Sequence, residues 1–158
     1  MARAERRGFT LIEMVVVLTI VGVLASAAVP LWSLNKRRSQ EAELRQNLRA
    51  LRTAIDAYHQ AWVDGRIERK ADESGYPPTL QHLVQGVPDV STPARRKIYF
   101  LRSLPRDPFA EPQVPAADTW ALRSHASPPE APAPGADVFD VHSRATAVGL
   151  DGTPVNRW

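Results

Sequence analysis

The sequence predicts an α+β chain: one long N-terminal helix, apolar in its first half and amphipathic in its second, packed on a small antiparallel sheet with proline-rich loops. Three observations carry this. From Phe9 to Leu34 the only charge is Glu13. Beyond it, Leu44, Leu48, Leu51, Ile55, Tyr58 and Trp62 recur at helical spacing. Thirteen of the 14 prolines lie from Pro77 onward, which excludes further long helices and favours short strands and ordered loops.

Each element can be justified in order. Residues 9–34 would make about 39 Å of helix, enough to cross a hydrocarbon layer of about 30 Å with some tilt. A cleaved secretory signal ending near Ala25-Ser26-Ala27 is the competing reading, and Glu13 inside the apolar region opposes it. In the second half, Arg45, Arg49, Arg52 and Asp56 fall off the apolar stripe, as expected of one solvated helix face. The two halves form one helix from about Phe9 to Val63, ended by Asp64-Gly65 because glycine accepts the left-handed conformation at little cost. Gly22 and Pro30 soften it: glycine lowers helix propensity, and Pro30 cannot donate to the Ser26 carbonyl.

After Gly65, Leu80 to Val84 reads as a short helix with Thr79 as its cap and Gly86 at its end. Strands are expected at Lys97–Leu101, Thr119–Leu122 and Asp137–Val141. Arg123–Ala136 reads as a loop. Asp151-Gly152 is a turn dipeptide that would close a last hairpin, Val148 and Leu150 against Val155.

Composition narrows the function. The 158 residues contain no cysteine, which removes disulfides, thiolate metal sites and cysteine nucleophiles. The net charge of +3 is concentrated in Arg3, Arg6 and Arg7, so nucleic acid is not an expected partner. His59, His82, His125 and His142 lack metal-binding spacing, and there is no GxSxG, P-loop or GxGxxG. The acidic pairs Glu41 and Glu43, and Asp72 and Glu73, read as solvated charges. No catalytic residues are expected.

Gly8-Phe9-Thr10-Leu11-Ile12-Glu13, behind a short basic leader and ahead of a long apolar helix with Gly22 and Pro30, resembles the class III signal of type IV pilins and type II secretion pseudopilins. Tyr76-Pro77-Pro78-Thr79, Leu104-Pro105-Arg106-Asp107-Pro108-Phe109 and Val138-Phe139-Asp140-Val141-His142-Ser143 are similar, in that order, to motifs of the G-type, major pseudopilin branch. The resemblance covers nearly the whole chain. It implies a type IV pilin-like fold divided into a cleaved leader (1–8), a transmembrane and assembly helix (9–34) and a soluble periplasmic domain (35–158).

The resemblance also implies that a prepilin peptidase cuts after Gly8 and methylates the new amine of Phe9. Gly8 suits this, since it can lie extended in a protease cleft with no side chain to clash. The leader arginines would hold it on the cytoplasmic side, although Lys36-Arg37-Arg38 on the other flank weakens charge counting here. Glu13 becomes the fifth mature residue. A carboxylate in the bilayer costs about 2.5–3.5 kcal/mol, and the helix dipole returns only about 0.3–1 kcal/mol. A partner is needed, and the ammonium of Phe9 on a neighbouring subunit supplies one; an intramolecular Glu13–Phe9 contact is the alternative.

The partners implied are the prepilin peptidase, other copies of the chain, minor pseudopilins, the inner-membrane assembly platform and the membrane itself. The resemblance further implies calcium in the C-terminal loop. Here the side-chain candidates are only Asp140, Ser143 and Asp151, with Arg144 and Arg157 opposing a cation, so no cofactor is the expectation and an Asp-Gly turn held by packing is the reading set against calcium. Two other functions stay open from sequence: a type IV pilus or competence minor pilin, and a periplasmic binding module or enzyme on a signal anchor.

Overall fold

The computed structural model describes residues 9–158, with the side chains of 27–31 excepted. The leader and Gly8 therefore lie outside the described residues. The chain divides into two compact units, the first ending at Ser39 and the second running Gln40–Trp158. Helix α1, Leu11–Val63, begins in the first unit and ends in the second. It is assigned as one helix past Gly22 and Pro30, and it stops where expected, with Gly65 at φ 72°.

In the second unit, the α1 stripe is the floor of the core. Leu44, Leu51 and Ile55 are fully buried, and Leu48 and Tyr58 nearly so. They share one cluster with Leu80, Leu83, Trp120, Val138, Val141 and Val155. Burying each such side chain is worth about 1.5–3 kcal/mol, so this stripe, more than helix propensity, holds the second half of α1 in place.

Two of the three expected strands are shorter than expected and the third, at Trp120–Arg123, is shifted by one residue; the strands form two separate two-stranded ribbons. Helix α2 (Gln81–Gln85) leads through Gly86, φ 72°, into β1 (Val87–Pro88), which pairs antiparallel with β2 (Lys97–Ile98). The expected strand to Leu101 ends early because the amides of Phe100 and Leu101 turn to the Leu83 carbonyl, at 3.0 and 2.9 Å. The Thr79 cap also differs: its hydroxyl meets the His82 ring at 2.9 Å, and α2 has no side-chain cap.

Strand β3 (Trp120–Arg123) pairs antiparallel with β4 (Asp140–Ser143), Trp120 opposite Ser143 and Leu122 opposite Val141. β4 starts three residues later than expected. The Asp137 carboxylate accepts from Ser124 Oγ and the His125 amide, while the Val138 amide donates to Pro77 O at 2.8 Å. These residues tie loops together before the ladder begins. The last hairpin is reduced to one bridge, Val148 to Pro154, since proline cannot donate further; Val155–Arg157 then forms a 3-10 turn. Gly152 takes φ 82°, as the Asp-Gly turn requires.

Candidate functional site

The N-terminal site is built around the start of α1. Thr10 precedes the first helical residue, and its hydroxyl accepts the Glu13 amide at 3.3 Å. Its carbonyl accepts the Met14 amide at 3.2 Å. Thr10-Leu11-Ile12-Glu13 thus has the capping-box pattern, which satisfies an amide that the helix itself leaves unpaired. Glu13 sits in the first turn, where the positive end of the helix dipole favours a carboxylate. Both Glu13 and Phe9 are exposed, Phe9 at 75 %. Gly8, the other half of the expected cleavage site, lies outside the described residues.

On both sides of Glu13, as far as Leu24, the helix is apolar all round. Leu11, Ile12, Val15, Leu18, Val21 and Leu24 are all more than half exposed. The polar side chains in this stretch are quenched internally: Thr19 Oγ1 donates to Val15 O and Ser26 Oγ to Val23 O, both at 2.7 Å. A hydroxyl spent on its own helix needs no water, so this surface suits an apolar environment. A Cβ added at Gly22 would meet nothing within 4 Å. Among the described residues, no helix is long and apolar enough to cross a membrane. The span expected at 9–34 includes residues 27–31, whose side chains are not described.

The four histidines go to packing. His59 stacks on Tyr76 with centroids 4.3 Å apart, His125 flanks the same ring at 5.4 Å, and His82 meets Thr79. Burial pushes the His142 imidazole below its ordinary value, with Arg52 and Arg144 adding to that effect and Asp140 opposing it. Among the described residues, no group of three His, Asp or Glu side chains is placed to hold a metal ion.

The three side chains weighed as calcium candidates are each occupied. Asp140 Oδ1 accepts Arg52 Nε and the Val141 amide, both at 2.8 Å. Asp151 Oδ2 pairs with Arg45 Nη2 at 2.8 Å, and its Oδ1 accepts the Thr153 amide and hydroxyl. Ser143 Oγ donates to Asp107 Oδ2 and accepts the Ala145 amide. Three candidates have three different sets of partners. The donor set does not fit a calcium ion, which takes six to eight oxygens.

Two polar groups that matter were not singled out from sequence. Glu41, read as a solvated charge, is only 4 % exposed and accepts the Leu150 amide at 2.9 Å. Asp107 is 2 % exposed; its carboxylate holds Ser143 and the Phe109 amide, and its own amide donates to Thr119 Oγ1. The Asp-Pro-Phe motif was a signal for Asp107, because an Asp that caps the amide two residues on marks a turn. Nothing local marks Glu41, whose partner is 109 residues away.

Residues 3–29 match the family model described as the prokaryotic N-terminal methylation motif. The chain is 35 % identical over 113 residues to the type II secretion system core protein G of Klebsiella michiganensis, covering 69 % of this chain and 72 % of the relative. It is 33 % identical to the protein of the same name from Escherichia coli (strain K12), with 72 % and 73 % covered. A shorter match, 39 % identical over 74 residues, joins 47 % of the chain to 33 % of the type IV major pilin protein PilA of Myxococcus xanthus. No solved structure matches the chain.

Proposed function

The chain belongs to the type II secretion system core protein G family, and from that membership we propose that it is cut between Gly8 and Phe9, methylated at the new amine, and polymerised through α1 into a periplasmic pseudopilus. The protein is a major pseudopilin, and its role is structural rather than catalytic. Before assembly it sits as a single-pass protein of the inner membrane, with Gln40–Trp158 in the periplasm.

The observation that carries the reading is the contrast along α1. The apolar stripe of its second half is buried in its own subunit, whereas large aliphatic side chains of the first half are exposed all round. Each of these left in water forgoes about 1.5–3 kcal/mol. Lipid covers them before assembly, and the corresponding helices of neighbouring subunits cover them afterwards. Glu13 then distinguishes a filament from an aggregate. It is the one carboxylate in the apolar stretch, and moving it among other helices costs free energy unless it meets a cation.

Cleavage creates that cation. Phe9 gains an ammonium that stays charged when methylated, and an incoming subunit whose Phe9 ammonium reaches a neighbour's Glu13 relieves the cost. Extraction from the membrane requires the prepilin peptidase first and the inner-membrane assembly platform next, while minor pseudopilins share the same N-terminal chemistry. Gly22 and Pro30 give α1 a place to bend as it leaves the bilayer.

Mass spectrometry of the mature protein tests this reading. The expected N-terminus is Phe9 carrying one methyl group; a chain that keeps residues 1–8 sinks it. Glu13→Gln, processed normally, is expected to lose filament assembly and secretion by tenfold or more. The match to a type IV major pilin favours a pilus as the second reading. Complementation of a strain lacking its major pseudopilin separates the two, since only the first reading expects secretion to be restored.

A further inference from the structure

We propose that Arg45 and Arg52 of α1 clamp the C-terminal segment in place of a bound divalent cation, so that folding and assembly of this chain are independent of calcium. Arg45 and Arg52 lie seven residues apart, two turns along one face of α1. With Glu41, a turn earlier, they form a row that meets the tail. Glu41 accepts the Leu150 amide, Arg45 pairs with Asp151, and Arg52 reaches Asp140, Val141 and Trp158.

Arg52 shows why arginine suits the position. Its Nε donates to Asp140 Oδ1 at 2.8 Å, and its Nη2 donates to the carbonyls of Val141 at 3.1 Å and Trp158 at 2.8 Å. One planar fork thus gathers a side-chain oxygen and two main-chain oxygens from β4 and the chain end. That is the work a hard cation does with the same kinds of oxygen, and the fixed geometry of guanidinium lets a single side chain do it. Lysine, a point charge on a flexible stem, would not hold all three.

Arg45 secures the other side of the loop. Its guanidinium pairs with Asp151 and lies over the Trp158 ring, 4.0 Å from the centroid. The indole is held in turn by Nε1 donating to Thr153 Oγ1 at 2.7 Å. Packing is close: a Cβ on Gly149 would come within 2.5 Å of Trp158 Cζ2 and 2.8 Å of Asp151 Oδ1. Both carboxylates that a cation would need are therefore neutralised by permanently charged groups. A calcium ion would have to displace two guanidiniums to gain two carboxylates.

The two mechanisms differ in their response to solution conditions. Both ion pairs are partly exposed, Arg45–Asp151 at 44 % and 45 % and Arg52–Asp140 at 38 % and 31 %, so salt weakens them and a chelator does not. The test is thermal unfolding of the full processed chain in detergent, followed by circular dichroism, with millimolar calcium and with excess EDTA. The expected result is the same Tm in both, and a Tm that falls as sodium chloride is raised. A chelator-induced drop, or a calcium-induced rise, overturns the proposal.

Substitution adds a second arm. Arg45→Gln and Arg52→Gln are each expected to lower Tm by roughly 3–5 °C, and Arg52→Lys to recover little of the loss. Wild-type melting of Arg52→Gln overturns the clamp. The inference does not depend on the pseudopilin reading: a chain with methylated Phe9 that needed calcium to stay folded would remove the clamp and leave that reading intact.

Discussion

Carboxylates and arginines tie this molecule together, and protonation of two of the carboxylates, Asp137 and Asp89, gives the tie a pH window. Burial pushes the Asp137 carboxyl up, but hydrogen bonds from Ser74, the His125 amide and Ser124, with the charge of His125, outweigh it and hold the group below its ordinary 3.8. Asp89 is held low by Ser91 and Arg66. A carboxyl depressed in the folded state binds fewer protons there than in the unfolded chain, so its contribution is complete above about pH 4 and is lost as pH falls through the folded value. Asp137→Asn is therefore expected to be less stable than the parent at pH 6, the gap closing below pH 3.8; chemical denaturation at several pH values measures it, and a gap that persists in acid refutes it. Asp107→Ala at the buried Ser143 and Phe109 contacts is expected to cost about 2–4 kcal/mol at neutral pH, since it takes away the acceptor of the buried Ser143 hydroxyl and of the Phe109 amide. Of these residues, Asp107 was visible in sequence only as part of a motif, and Glu41 was misread. A carboxylate three residues after a basic cluster looks solvated until the tail returns to cover it.

At the scale of elements, what could be read in advance followed from range. Helix α1 rests on a repeat of four and three residues sustained through six positions, and its end on a glycine, both local signals that the fold obeys. The strands rest on partners. β1 and β2 are two residues each, too short to carry a periodicity, and β4 is displaced because Asp137 and Val138 are claimed by loops first. The two halves of α1 also predict opposite responses to one kind of substitution. Leu51→Ala removes a fully buried side chain and is expected to cost about 2–5 kcal/mol of stability. Val17→Ala, at a position 48 % exposed in the single chain, is expected to leave the unfolding of the second unit unchanged and to weaken assembly instead. Equal losses of stability for the two would contradict this division.

The whole molecule joins a segment whose described large apolar side chains are exposed to one that buries a core of its own. Among the described residues, the apolar side chains of the first unit are outside the buried cluster; the second unit, Gln40–Trp158, contains that cluster from Leu44 to Val155. Its helix is tied at the point of entry, with Gln40 Nε2 donating to Pro108 O at 3.2 Å and Asn47 Nδ2 to Arg106 O at 2.9 Å. Glu41, Arg45 and Arg52 all lie within it, so the clamps on the C-terminal segment do not require the apolar half. A chain beginning at Gln40 is accordingly expected to be soluble without detergent, monomeric by sedimentation, and to melt in one cooperative transition near the temperature of the second unit in the full chain. It should also retain the salt dependence of that transition, because both ion pairs are kept. Without Glu13 and Phe9 it is expected not to enter a filament. Aggregation, or a melt without a transition, would mean that the core depends on the first unit and that the boundary at Ser39 has no energetic meaning.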